Sequence, residues 1–202
     1  MGETRLEDER LDHDRALALL HEYTQKPGLI QHALAVEAAL HAYARKHGED
    51  ELEWGLVGLL HDFDYERWSS MDDHPFRGSE ILEEQGYPEW FRRAILSHAN
   101  YSGVPRESML EKSLFACDEL CGFLVACALV TPNRSLHDVK VKSVRKKMKS
   151  KGFAASVSRD DIVEGAAGIG VELTEHIEFV LNAMRSIASE LGLEGAPPDT
   201  AE

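Results

Sequence analysis

The sequence predicts an all-α protein made of one helical domain. Three observations carry that reading. Apolar residues recur at helical rather than alternating spacing along most of the chain. Helix start and stop signals punctuate it at regular intervals. The length of 202 residues and the apolar content of 43% suit a single core with terminal tails.

The elements follow in order. Asp12 or Asp14 can cap a first helix running to about Gln25, which Pro27-Gly28 ends. A second is expected from about Leu29 to His47, stopped by Gly48, and a third from about Asp50 to Phe63. Pro75 suits a first helical position, in a helix ending at Gly86, and Pro88 opens another that ends near His98. Residues 108–130 read as a long apolar helix before Pro132. Shorter helices are expected at 138–149 and 159–166, then an amphipathic one at about 172–191. The expected organisation is a flexible 1–10, a domain over 11–192, and a disordered acidic, Pro-rich tail at 193–202.

A net charge of −14 argues against general affinity for nucleic acid polymers or anionic membranes. The apolar run Leu120 to Val130 is too short to cross a bilayer. The charged opening MGETRLEDERLDHDR is no secretory signal. Cys117, Cys121 and Cys127 do not form a disulfide framework, so a reducing cytoplasm is expected, with Cys117 and Cys121 in core packing.

His-Asp dipeptides occur at 13-14, 61-62 and 137-138. The first lies in a charged helix start, and the last follows TPNRSL at a loop or cap. His61-Asp62 instead ends LEWGLVGLLHDFDY, which is apolar around nearly its whole circumference and therefore buried. A carboxylate there costs several kcal/mol unless it is paired or metal-bound. Gly58, one turn earlier, is read as leaving room for an ion. His32 lies on an apolar stripe with Leu29, Val36 and Leu40, and Asp118 sits inside LFACDELCGFLVACALV. His74 stands at a helix start, and His98 closes WFRRAILSH. Each has a plainer explanation alone: a core histidine, an internal ion pair, a cap, or a dipole-favoured terminal histidine. Together they offer four imidazoles and two carboxylates on different helices, as metal-binding bundles do.

The ordered set His32, His61-Asp62, His74, His98, Asp118 resembles the HD superfamily of metal-dependent phosphohydrolases. LIQHALAVEAAL resembles its first-histidine helix and GLLHDFDYE its name-giving motif. HPFRGSEIL resembles the HPxxGxxIL element of the two-metal branches, and SLFACDEL the final-aspartate helix. The chain is also similar to a group of predicted HD hydrolases whose motif continues with an apolar residue and Asp-Tyr-Glu. Ala99 stands where the HD-GYP signature has a second histidine, and SGVP only partly echoes Gly-Tyr-Pro, which argues against a cyclic dinucleotide phosphodiesterase.

The resemblance implies an HD-type helical bundle with its metal-binding core at about 28–130 and a C-terminal helical extension over 131–192. It implies a first metal held by His32, His61, Asp62 and Asp118, and a second held by Asp62, His74 and His98. One or two divalent transition metals per chain are expected, Fe or Mn ahead of Ni, Co, Zn or Mg. The expected reaction is hydrolysis of a nucleotide or other small phosphoester by metal-activated hydroxide. Asp62, Asp64 and Lys112 are the candidate catalytic residues; Asp64 would orient the water, unless it serves a helix end or the surface. Arg92, Lys142 and Lys146 are candidate phosphate contacts, the last two in a basic run that otherwise reads as a solvated face. A monomer or homodimer is expected. The alternatives are a mixed-valent di-iron oxygenase on the same six-ligand set, or a non-catalytic metal- or nucleotide-binding regulatory module.

Overall fold

The computed structural model describes residues 11–195, and every regular element among them is helical. The α-helices are α1 (His13–Tyr23), α2 (Pro27–His47), α3 (Glu51–Leu60), α4 (Phe76–Glu84) and α5 (Glu89–His98). They continue with α6 (Met109–Leu129), α7 (Val141–Met148), α8 (Arg159–Gly168) and α9 (Leu173–Ser186). Short 3-10 turns at Asn100–Ser102 and Leu136–Asp138 were not foreseen from periodicity.

Capping chemistry explains most of the boundaries. Asp12, not Asp14, caps α1 through the Arg15 amide, and His13 turns to Glu37 at 2.8 Å. Pro27 does not serve to end α1; it occupies the first turn of α2, where a missing N–H costs nothing. The Glu66 carboxylate accepts from the Gln25 and Lys26 amides just ahead of that turn. Gly48 ends α2 at φ 72°, a left-handed conformation that glycine adopts freely. Asp50 caps α3. Ser108 and Glu111 close a reciprocal capping box at the start of α6.

The bundle is organised around α2 and α6. Helix α3 lies along α2, while α6 packs against α2, α5, α8 and α9. Tyr43, Leu56, Leu59, Leu60, Phe91, Leu114 and Phe123 are fully buried between these helices. Gly58 has a different use from the one expected. A Cβ there would stand 3.0 Å from the backbone of Val36 and Glu37, so the missing side chain brings α3 onto α2 and makes no space for an ion. All three cysteines are buried and free, as core packing requires.

The helices after residue 131 pack onto the same core. The His176 ring donates through Nε2 to the Ala116 carbonyl at 2.8 Å, leaving Nδ1 to accept from the Tyr43 hydroxyl at 2.6 Å. This buried chain ties α9 to α6 and α2. The packed chain extends past the expected boundary at 192. Leu193 is buried, its carbonyl accepts from the Leu136 amide, and the Glu194 carbonyl accepts from the Ser135 hydroxyl. The expected flexible 1–10 and the rest of the expected tail, 196–202, lie outside the described residues. No helix among the described residues is long and apolar enough to cross a membrane.

Candidate metal centre

Helix α3 ends at Leu60, three residues short of the expected Phe63, with His61 as its C-cap. The chain then passes through turns closed by Tyr65 N–H to Asp62 O and Trp68 N–H to Asp64 O. That geometry aims His61 and Asp62 at the N-terminal half of α2 and the middle of α6. His32 comes from α2 and Asp118 from α6. His74 comes from the turn before α4, and His98 from the last turn of α5.

Two groups of donors result. In the first, His32 Nε2 lies 3.2 Å from His61 Nε2 and 3.0 Å from Asp118 Oδ1. Asp62 Oδ2 stands 3.5 Å from His61 Nε2 and 3.9 Å from His32 Nε2. In the second, Asp62 Oδ1 lies 3.2 Å from His74 Nε2 and 3.3 Å from His98 Nε2, which are 3.3 Å from each other. Asp62 belongs to both groups through different oxygens. His61 and His98 each place Nδ1 on a backbone carbonyl, that of Gly58 at 2.7 Å and of Ile95 at 2.5 Å. His74 Nδ1 donates to Asp64 Oδ1 at 2.7 Å.

These partners only accept, so in all three rings Nδ1 carries the proton and Nε2 turns inward. In neutral rings, the facing Nε2 lone pairs of His74 and His98 repel unless a cation stands between them. Donors about 2.0–2.2 Å from one ion lie roughly 3–3.5 Å apart. Apart from Asp62 Oδ2 to His32 Nε2 at 3.9 Å, the spacings given above fall in that range, so the residues fit divalent metal.

Without an ion, the second occupant of the Nε2 positions is a proton. Burial acts to lower the His74 pKa, but the hydrogen bonds to Asp62 and Asp64 outweigh it and push the pKa up to about 9. His61 and His98 are also raised against the effect of burial, by Asp62 and Asp118. Burial works to raise Asp62 and Asp118, yet the surrounding imidazoles hold both below the usual carboxylate range. The imidazolium of His74 thus stabilises the metal-free fold fully below its unfolded pKa of about 6.5, and that contribution is lost as pH rises through about 9. Chelated protein should therefore lose thermal stability between pH 6.5 and 9, while metal-loaded protein should not. Calorimetric titration near pH 7.5 in two buffers of different ionisation enthalpy should register proton release on metal binding. Buffer-independent heats would contradict this exchange of proton for metal.

Asp64 is not placed to orient a water. It is fully buried, with one oxygen on His74 and the other accepting from the Gly78 amide at 2.8 Å. Gly78 admits it, since a Cβ there would sit 2.9 Å from the Asp64 carboxyl carbon. Asp64→Ala frees the His74 ring. We expect affinity at the second group to fall about 10–100-fold, with the His32–His61–Asp118 group retained. Metal analysis after dialysis should then read less metal per chain than in the unmodified protein, with one ion retained at the first group.

The expected cationic contacts are not at this site. Lys112 lines a separate, smaller cavity with Arg106 and Glu164. Arg92 pairs with Glu83 at 3.0 Å. Lys142 and Lys146 are exposed on α7, consistent with a solvated face. The cavity beside the donors, about 480 Å³ in volume, is instead walled by Tyr65, Tyr101, Asn100, Phe115 and Glu119, which sequence reasoning did not select. Burial and the charge of Asp62 push the Tyr101 phenol up to about 12, so it stays a hydrogen-bond donor at neutral pH. Burial, with Asp118 alongside, raises Glu119 to about 7. Arg106 holds the Tyr101 turn in place. It donates to the Ser97 carbonyl and to Asn100 Oδ1, both at 2.9 Å, and lies over the Phe115 ring.

Compared with known proteins, residues 29–121 match a family model described as HD domain. Neither curated proteins nor solved structures give a match.

Proposed function

We propose that this chain, whose residues 29–121 are an HD domain and place it in the HD superfamily of metal-dependent hydrolases, is a phosphohydrolase acting on a small phosphoester. The observation that carries this reading is the position of Asp62. One of its oxygens faces the His32–His61–Asp118 group and the other faces His74 and His98. A carboxylate so placed can bridge two ions. A divalent pair held here would neutralise phosphoryl charge and acidify a water toward a pKa of about 7. We favour Fe or Mn, given the mixed imidazole and carboxylate donors.

The remaining roles fall to the chain itself. His61, His74 and His98 are locked by their Nδ1 bonds, so little reorganisation accompanies the reaction. Tyr101 and Asn100 offer hydrogen-bond donors to ester or leaving-group oxygens. Asp64 serves as a positioning residue for His74. The cavity is within the usual range for small-molecule sites, about 300–1,000 Å³.

Protein reconstituted anaerobically with Mn(II) or Fe(II) should release phosphate or alcohol from at least one member of a phosphomonoester and phosphodiester panel. Full metal content with no release from any member would sink the proposal. Iron-loaded protein that consumes dioxygen with a diol, and releases no phosphate, would favour the oxygenase reading instead.

A further inference from the structure

Resting on that reading, the charge of the cavity narrows the substrate class. No lysine or arginine lines it among the described residues. The nearby arginines are committed elsewhere. Arg159 spans the carbonyls of Phe153, Ala154 and Val157. Arg106 is turned to Ser97, Asn100 and Glu164. Beyond the metal-facing donors, the wall carries two further carboxylates. Glu119 accepts from the Ser158 amide at 3.1 Å, and Asp161 from the Asn100 side chain at 3.3 Å. Exposed Met71, Tyr65 and Tyr101 add neutral, largely apolar surface to its wall.

Two divalent ions, offset by Asp62 and Asp118, would leave about two positive charges, enough for one phosphoryl group carrying roughly −1.5 to −2. Any further anionic group would face Glu119 and Asp161 with no cation to meet it, in a cavity where charges are weakly screened. We infer that this site takes substrates with a single anionic group, set against the His/Asp cluster and attached to a neutral body. It turns away substrates with a second anionic group, nucleoside di- and triphosphates included.

The test is binding to metal-loaded protein, by calorimetry at pH 8, of three non-hydrolysable probes: phenylphosphonate, its 4-carboxamide and its 4-carboxylate. The first two should bind alike and the carboxylate at least about tenfold more weakly. Paired Glu119→Gln and Asp161→Asn changes should shrink that gap to under threefold. Equal or tighter binding of the carboxylate overturns the inference and leaves the phosphohydrolase proposal standing. A gap unchanged in the double variant overturns the role given to these two carboxylates. If none of the probes binds protein carrying its full metal content, the phosphoester reading fails and the inference falls with it.

Discussion

Asp62→Ala should weaken both metal positions at once. His32 and His61 share Asp62 Oδ2 as a neighbour, and His74 and His98 share Oδ1. Every other member of the two groups serves only one of them. Removing this carboxylate leaves the second group with two imidazoles and no acidic donor, and the first with His32, His61 and Asp118, so two divalent charges would be offset by one carboxylate. Metal per chain after dialysis should fall by at least one ion's share on elemental analysis, and the proposed hydrolysis by about 100–1,000-fold, the scale of losing a principal electrostatic element. His74→Ala is the informative comparison, because the first group stays complete. An Asp62→Ala protein that lost affinity at only one of the two groups would contradict the bridging assignment.

Gly165→Ala should be the most damaging single methyl added to the fold. Its Cβ would stand 2.5 Å from the Cα of Ala116 and 3.2 Å from the Ala116 nitrogen, which are backbone atoms of α6 and cannot swing aside. Helix α8 must then back away from α6. Overpacking of this kind costs about 1–3 kcal/mol, and more when backbone must move. At this chain length each kcal/mol lowers Tm by roughly 2–4 °C. We expect a fall of about 5–10 °C by calorimetry. Ala116 is two residues from Asp118, so metal affinity should drop as well. Gly168→Ala is the control. It lies in the same helix with nothing within 4 Å of its would-be Cβ, and it should be neutral or stabilising by up to about 1 kcal/mol. An equal loss at Gly168, where helix propensity favours alanine, would show that the contact with α6 does not set the effect.

The helices were legible because their signals are local: caps, prolines, and a period of 3.6. The six donors were legible because a buried carboxylate needs a partner, and Asp62 and Asp118 both stood in apolar surroundings. What failed was anything that depended on which face meets which neighbour. Lys112 lies six residues before Asp118 on one helix, about 240° around the axis, so it could have been set aside from spacing alone. Gly58 was placed on the right face, but the sequence does not state that the backbone of α2 occupies that space. Arg92, Lys142 and Lys146 are cations, yet Arg92 lies beside Glu83 and the two lysines face solvent. Tyr65 belongs to the Asp-Tyr-Glu motif, but neither its sequence nor that around Tyr101 shows that these rings wall the cavity. They come from turns whose path is set by how α3 and α5 end.

The contact of His176 with Ala116 makes α6 a strut loaded at two neighbouring points. The His176 ring holds it from the C-terminal helices, and two residues on, Asp118 faces the cluster. The segment that matches the family ends at residue 121, inside this helix, so the later helices brace the centre rather than append to it. Occupancy of the centre should then register far from it: amides of α9 should exchange hydrogen more slowly in metal-loaded than in chelated protein, and Tyr43→Phe should weaken that slowing.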